Sequence, residues 1–170
     1  MTRILGIDPG SRITGYGVVN VSGFTYSYVA SGCIKTKSDN FPEKLKEIFV
    51  GLDAIITEYQ PHIAAIEQVF VKTNVASALK LGQARGAAIC ACVTRSLKVG
   101  EYSPNQIKKA VVGRGHASKE QVQHMVKTQL NLNKAPPTDA ADALAIALCH
   151  AQNLHTLNRL SKRGYITEGI

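Results

Sequence analysis

The amino-acid sequence predicts an α/β fold in which helices flank a mixed five-stranded sheet. Short runs of apolar and β-branched residues alternate with amphipathic stretches whose apolar residues recur at threes and fours. The first three runs follow one another through short turns, which is typical of antiparallel strands. The later runs each follow a helical stretch, which permits a parallel return to the same sheet. The 170 residues are enough for a single domain with a substantial core.

The first predicted strand, at 4–8, ends in a carboxylate. Proline cannot donate to a sheet ladder and glycine permits the positive φ of a tight turn, so Pro9 and Gly10 end the strand just past Asp8. Alternate strand residues share a face, so Gly6 is expected to leave open space beside the Asp8 carboxylate. An ionised carboxylate next to a core is costly unless a cation or hydrogen-bond donors satisfy it.

Two further strands and a helix follow in order. Residues 14–20 and 24–34 are rich in β-branched and aromatic residues and are predicted to complete a three-stranded meander. Asn40 is predicted to cap an amphipathic helix that has proline in its first turn and ends at Gln60. This helix is expected to lie on the sheet.

The run at 63–67 ends in a second carboxylate, Glu67. Because this run follows a helix, it can return parallel to the first strand, which would place Glu67 at the same end of the sheet as Asp8. Asn74 is predicted to cap a long helix that reaches about Ser96. One face of this helix is unusually small, so either the domain's own sheet or a second subunit could approach it closely. The small residues are Ala76, Ala78, Gly82, Gly86 and Ala87.

A fifth strand and three more helices complete the predicted fold. The strand is expected at 99–102. Ser103 and Ser118 each begin an S-x-x-Q sequence, the pattern of a capping box, and so predict two helix starts. The last helix is predicted over 138–153.

Composition and charge bound the class of protein. The domain is expected to span 1–153, with 154–170 as a C-terminal tail that is mobile in part. No apolar stretch approaches the roughly 20 residues that cross a bilayer, and no signal-peptide pattern is found, so a cytoplasmic location is expected. The net charge of +8 suits a polyanionic partner such as nucleic acid. The four cysteines lack metal-binding spacing and are expected to be reduced, buried thiols.

Two acids lie on the last predicted helix. Asp139 and Asp142 are three residues apart and share a face, and the other residues from 140 to 148 are apolar. A helix that is apolar on nearly all sides is buried, so both acids are expected to point inward. The alternative is that they complement the helix dipole, an effect of about 0.3–1 kcal/mol, which accounts for one exposed acid better than for two.

Four carboxylates thus occupy unfavourable positions in a chain with only 12 acidic residues: Asp8, Glu67, Asp139 and Asp142. Their convergence would cause severe repulsion without cations. Oxygen ligands without histidine or cysteine select Mg²⁺ or Mn²⁺, and two such ions about 3.5–4 Å apart form the clamp used in phosphodiester hydrolysis. The sequence therefore predicts a metal-dependent nuclease whose basic surface holds nucleic acid.

Four motifs resemble those of the RuvC family of bacterial Holliday-junction resolvases. They are ILGIDPGSRITGYG at 4–17, AIEQVF at 65–70, SALKLGQARG at 77–86 and DAADALA at 139–145. The similarity runs in order from about residue 4 to residue 150, and the tail lies outside it. Each motif alone is weak, whereas the four together are highly specific.

The resemblance implies a ribonuclease-H-like fold, a homodimer, and paired symmetric nicks in strands of like polarity across a four-way DNA junction, during recombination and repair. It also implies partnership with the RuvA–RuvB branch-migration complex and a preference for a short T-rich sequence at the cut. The family's catalytic acids match Asp8, Glu67, Asp139 and Asp142 one for one. They would hold two Mg²⁺ ions per subunit, which Mn²⁺ can replace.

The resemblance also implies DNA contacts. Phe70 matches an aromatic residue that wedges against bases at the crossover, although from sequence alone such a residue is more often part of a core. Lys108 and Lys119 match basic residues near the scissile phosphate, although each could also belong to a solvated helix face. The remaining candidate phosphate contacts are Lys72, Lys80, Arg85 and Arg114.

Three alternatives stay open. An Asp-Pro-Gly turn after the first strand also binds nucleotide phosphates in sugar-kinase and actin-like ATPases, but those proteins are usually longer and carry a duplicated domain, and no duplication occurs here. A junction-binding module that no longer cuts would be expected to lack an acid, and none is missing. A related nuclease that acts on RNA precursors is disfavoured by Phe70 and by the glycine-containing helix motif.

Overall fold

The computed structural model describes residues 1–69 and 74–162. Phe70 and Lys72, two of the predicted DNA contacts, lie outside the described residues, as do residues 163–170 of the predicted tail. The strands are β1 (Thr2–Asp8), β2 (Ile13–Ser22), β3 (Thr25–Lys35), β4 (Ile63–Glu67) and β5 (Lys98–Tyr102). The helices are α1 (Phe41–Tyr59), α2 (Val75–Thr94), α3 (Pro104–Val112), α4 (Lys119–Gln129) and α5 (Thr138–Lys162).

The described strands form one mixed sheet in the order β3-β2-β1-β4-β5. β1 pairs antiparallel with β2, and β2 with β3, so the predicted meander is confirmed. β1 pairs in parallel with β4, and β4 with β5, as expected for connections that pass through α1 and α2. The carboxyl ends of β1 and β4 therefore lie side by side.

Helices cover both faces of the sheet. On one face α3, α4 and α5 pack with Ile4 and Val19, and on the other face α1 and α2 pack with Leu5 and Ile7. Successive residues of β1 thus enter different cores, because side chains alternate along a strand. α5 lies across the centre of the sheet, against β1 and β2.

Capping contacts confirm the predicted helix starts. Asn40 and Asn74 each accept a hydrogen bond from the backbone amide three residues further on. Ser103 and Ser118 both form complete capping boxes. The first residues of α3 and α4 are therefore held in place at the side of the sheet that α5 covers.

The last helix is longer than the sequence predicts. α5 continues to Lys162, so the predicted end at 153 is wrong. Leu154 packs against the core beneath α5, and the ring of His155 lies 4.8 Å from the ring of Phe24 in the β2–β3 turn. These contacts with a distant part of the chain support the added turns, and local periodicity does not reveal them.

The surface of α2 departs from one sequence prediction. Cys92 and Cys149 are buried and Cys33 is half-buried, but Cys90 is exposed on α2, so the prediction of four buried thiols is wrong. The reason is that α2 turns only the side bearing Cys92 toward the sheet. Across the described parts of the chain, none of the helices has the length and apolar character needed to cross a membrane.

Candidate metal and nucleic-acid site

Asp8 and Glu67 lie at the ends of neighbouring parallel strands. Ile7 and Ile66 are the last paired residues of β1 and β4, and the two acids follow at adjacent positions. They share a sheet face with Ala65, which packs in the core beneath α5. The prediction that both carboxylates lie at the same end of the sheet is confirmed.

Glycines let α5 rest on this end of the sheet. A Cβ atom at Gly6 would lie 2.0 Å from the backbone oxygen of Ala143, and one at Gly15 would lie 2.1 Å from that of Asp139. The prediction that Gly6 leaves open space is therefore wrong, because α5 occupies that space. Gly15 pairs with Asp8 in the β1–β2 ladder, so the contact holds Asp139 close to the carboxylate of β1.

Asp142 lies one turn after Asp139 and lines the same cleft as Asp8 and Glu67. Both acids of α5 are half-buried, whereas residues 140, 141 and 143–151 are buried. Both are also close enough to Asp8 to repel its charge. The predicted inward orientation of the two acids is therefore confirmed.

Thr14 holds the turn that follows β1. Its hydroxyl donates to the Gly10 carbonyl at 2.9 Å and accepts from the Gly10 amide at 3.3 Å, and Thr14 is completely buried. A Cβ atom at Gly10 would lie 2.1 Å from the backbone oxygen of Ile13. The glycine is required by this close approach and not by a positive φ, which it lacks, contrary to the prediction. The turn is thus fixed directly beside Asp8.

Burial and repulsion raise the pKa of Asp8 to about 7. Burial is the largest cause, the other three carboxylates add repulsion, and Lys119 opposes the change. Burial also raises the pKa of Asp142, against the attraction of Lys119 and Lys108. Two lysines therefore compensate only part of the negative charge at this end of the sheet.

Asp8, Glu67 and Asp142 open into a cleft of about 420 Å³. Lys108 of α3 and Lys119 of α4 line it together with these three acids. Their predicted contact with a scissile phosphate stays a prediction. The rest of the wall is largely apolar. Its apolar residues include Val69, Leu81, Ile107, Val122 and Ile146. The cleft thus combines acids and lysines with a largely apolar lining.

The donor set fits a hard divalent cation. All four acids supply carboxylate oxygens, the ligand type that Mg²⁺ and Mn²⁺ prefer. The raised pKa of Asp8 indicates that its negative charge lacks sufficient compensation from the protein alone. Among residues 1–69 and 74–162, no three acidic, histidine or cysteine side chains already enclose a point suited to an ion.

The remaining predicted DNA contacts occupy different surroundings. Lys80 is exposed on α2, and its ammonium lies 5.9 Å from the centroid of the Phe41 ring. Arg114 is exposed between α3 and α4. Arg85 instead turns toward the sheet, where it donates to the backbone oxygen of Glu67 and forms an ion pair with β5. Arg85 is therefore engaged within the domain.

Sequence patterns do not reveal three residues that shape the site: Thr14, Gly15 and the inward-turned Arg85. Gly15 and Gly17 are spaced by two on β2, and this was the available signal, because glycine within a strand marks a close approach of another backbone. Thr14 acts across a turn, and Arg85 acts on a residue 18 positions away. No local pattern identifies such partners.

Comparison with known proteins identifies close relatives. The family model described as crossover junction endodeoxyribonuclease RuvC matches residues 4–150. A protein of that name from Shewanella woodyi is 58% identical over 163 residues, which cover 96% of this chain and 94% of the relative. The structure of Thermus thermophilus RuvC in complex with a Holliday junction substrate matches with a TM-score of 0.86 at 35% identity, over 92% of this chain and 96% of that one.

A more distant structure shares the fold. The yeast mitochondrial Holliday junction resolvase Ydc2 matches with a TM-score of 0.68 at 14% identity, over 97% of this chain and 85% of that one. The predicted ribonuclease-H-like fold is confirmed by the match to RuvC structures. Because the family model spans most of the chain and curated relatives are more than half identical to it, the chain belongs to the RuvC family of crossover junction endodeoxyribonucleases.

Proposed function

We propose that this protein is a Holliday junction resolvase that cuts two DNA strands of like polarity at symmetric positions. The observation that carries the proposal is the convergence of four carboxylates, two at the adjacent ends of β1 and β4 and two on α5, which together with burial raises the pKa of Asp8 to about 7. Divalent cations would relieve the repulsion among these carboxylates. Two such ions would also stabilise the attacking and leaving oxygens in phosphodiester hydrolysis. Membership of the RuvC family supports the choice of substrate.

The four carboxylates are proposed to hold two Mg²⁺ ions per subunit, and Mn²⁺ is expected to substitute. When bound, the ions would supply the charge that activates a water molecule and stabilises the leaving oxygen. Asp8 and Glu67 would hold them from the sheet, and Asp139 and Asp142 from α5. The rigid packing of α5 on glycine positions would orient these donors.

Lys108 and Lys119 are proposed to hold the scissile phosphate. Both line the cleft with the acids, and both attract the charge of Asp142. Each lysine belongs to a helix whose N-terminus is fixed by a capping box. Lys80, Arg85 and Arg114 were predicted as further phosphate contacts, of which Lys80 and Arg114 are exposed.

Phe70 and Lys72 are proposed to contact the junction at the rim of the cleft. Glu67 and Val69 both line the cleft, and Phe70 follows directly in the chain. A base that is unstacked at the crossover would gain about 1–3 kcal/mol by stacking on such a ring.

A homodimer is proposed because a two-fold symmetric junction requires two cuts. Residues on the outward side of α2 recur at threes and fours and form one stripe. The stripe comprises Val75, Leu79, Gly82, Gly86, Cys90 and Val93. Val75, Leu79 and Val93 are 62%, 64% and 52% exposed, and a Cβ atom at either glycine would meet no atom within 4 Å. A second copy of α2 could therefore approach closely at the two glycines.

Three finer expectations belong to the same proposal. Cooperation with the RuvA–RuvB branch-migration complex and preference for a T-rich sequence at the cut rest on the family resemblance. A cytoplasmic location rests on the sequence pattern, which contains neither a bilayer-spanning apolar stretch nor a signal peptide. The net charge of +8 supports a DNA substrate in general and does not select among DNA structures.

The test is cleavage of a synthetic four-way junction, a duplex and an RNA–DNA hybrid, each with Mg²⁺, Mn²⁺ or EDTA. We expect paired nicks in the junction alone, and only with a divalent metal. Asp8→Asn should abolish cleavage and retain binding, because it removes a metal ligand and one negative charge. Asp39→Asn, an exposed acid before α1, is the matched control. Full cleavage by Asp8→Asn would refute the metal site, and ATP turnover without DNA would favour the ATPase alternative.

A further inference from the structure

The peptide unit between Glu67 and Gln68 is held on both of its edges. Its carbonyl oxygen accepts a hydrogen bond from Nε of Arg85 at 3.0 Å. Its N–H donates to the backbone oxygen of Tyr102 at 2.8 Å. The plane of this peptide determines ψ of Glu67, so the two hydrogen bonds together restrict the direction in which β4 delivers the Glu67 side chain.

The guanidinium is itself fixed. Its terminal nitrogen forms an ion pair with the carboxylate of Glu101 on β5. The Arg85 side chain is 19% exposed and that of Glu101 is 49% exposed, so the arginine is the more enclosed partner. A planar guanidinium presents its donors in a rigid fork, which allows one side chain to bind a carbonyl and a carboxylate at once.

The acceptor on the other edge is also anchored. The Tyr102 hydroxyl lies 2.7 Å from Nδ1 of His150, a buried residue of α5. The end of β5 is thus tied to α5, and the end of β4 is tied to β5. Arg85 completes this arrangement from α2, on the opposite side of the sheet from α5.

We propose that Arg85 is a positioning residue that fixes the Glu67 main chain, and so the Glu67 carboxylate, for metal binding. This inference rests on the proposed metal-dependent nuclease function. It replaces the prediction from sequence that Arg85 contacts a DNA phosphate, because a phosphate would have to compete with Glu101 and with the Glu67 carbonyl for the guanidinium. The Arg85 guanidinium would therefore orient Glu67 from the face of the sheet opposite α5.

Arg85→Gln and Arg85→Lys test the proposal through metal binding by protein without DNA. We expect Mn²⁺ affinity, measured by titration calorimetry, to fall about 10–100-fold, the range found when groups that orient metal ligands are removed. Lysine should rescue little, since one ammonium cannot reproduce the fork. Single-turnover cleavage should fall in parallel and recover in part at high Mn²⁺.

Salt dependence separates positioning from phosphate contact. With Ca²⁺ in place of Mg²⁺, the slope of log affinity for a four-way junction against log salt should be unchanged in Arg85→Gln. A slope smaller by about 1, together with wild-type Mn²⁺ affinity, would overturn the proposal in favour of a phosphate contact. Wild-type values in both measurements would overturn it as well.

Two further variants complete the experiment. Glu101→Gln keeps the arginine but weakens its anchor, so Mn²⁺ affinity should fall in the same direction and by less. Arg95→Gln, which removes an arginine paired with Asp53 just after α2, is the matched control and should leave Mn²⁺ affinity unchanged. If the wild type failed to cut junctions yet lost Mn²⁺ affinity on Arg85→Gln, the proposed function would fail while this inference stood. If Arg85→Gln did not fold, Glu101→Gln with wild-type Mn²⁺ affinity would refute the inference.

Discussion

Gly15 lies against the backbone of Asp139 so closely that a Cβ atom at residue 15 would come within 2.1 Å of the Asp139 oxygen. Gly15 also pairs with Asp8 across the β1–β2 ladder. One glycine therefore sets how near the acids of α5 approach the acid of β1. The spacing of the site depends on backbone contact between layers and not only on the carboxylate side chains.

Gly15→Ala should lower both activity and stability. The added methyl group would push the α5 backbone away from β2, and overpacking of this kind costs about 1–3 kcal/mol in the free energy of unfolding. Displacement of Asp139 by about 1 Å should lower single-turnover cleavage roughly 100-fold. Urea unfolding and cleavage of a four-way junction measure the two effects. Gly115→Ala is the control, since a Cβ atom there meets its nearest neighbour at 4.0 Å.

Stability of the metal-free protein should fall as pH increases from about 4 to about 7. The pKa of Asp8 is raised from 3.8 to about 7, first by burial, so the folded state binds this proton more tightly than the unfolded chain does. A difference of about 3 pH units corresponds to roughly 4 kcal/mol in the free energy of unfolding.

Urea unfolding in EDTA measures this effect, with Asp8→Asn as the comparison. The variant should lack this contribution and should be more stable than the wild type at pH 8. Added Mg²⁺ should stabilise the wild type more than the variant. Equal stability of the two proteins across the whole pH range would contradict the raised pKa.

Lys119→Ala should shift the pH dependence of cleavage upward. Lys119 lowers the pKa of both Asp8 and Asp142, so its loss should leave both carboxyls protonated to higher pH. The measurement is the pH–rate profile of single-turnover junction cleavage at fixed Mg²⁺. Lys46→Ala, which removes a lysine paired with Glu43 on α1, should leave the profile unchanged. An unshifted profile for Lys119→Ala would exclude an electrostatic effect on the acids.

Leu79→Glu should convert the protein from dimer to monomer. Leu79 is 64% exposed in the single chain, so a charge there should disturb the fold little but repel a second α2 helix. Sedimentation velocity measures the change in size, and paired nicking should give way to single nicks. Phe24→Ser, at an exposed ring in the β2–β3 turn, should remain dimeric. A monomeric wild type at micromolar concentration would refute the proposed interface.

Much of the fold could be predicted from local patterns. The capping boxes at Ser103 and Ser118 identified two helix starts because a cap involves residues only three positions apart. The end of α5 could not be predicted in this way. Near that end the ring of His155 contacts the ring of Phe24, and the two residues are separated by most of the chain.

In the candidate site, too, features set by local sequence could be predicted, and features set by distant neighbours could not. The positions of Asp8 and Glu67 at strand ends could be predicted, because a parallel crossover places successive strand ends at one edge of a sheet. The roles of Gly6 and Gly10 depend on their neighbours, α5 and Ile13, which local sequence patterns do not reveal. The sequence predicts Arg85 as a phosphate contact, but its charge alone does not tell that its side chain turns toward the Glu67 main chain.

By itself the sequence determined the order of strands and helices, the family, and the four acids that define the candidate site. Only the tertiary structure decided how closely α5 approaches Gly15 and that Arg85 binds the main chain of Glu67. The physical reason is the range of the interactions. Periodicity, capping and turn propensity act between near neighbours in the chain, whereas these contacts exist only once helices have packed on both faces of the sheet.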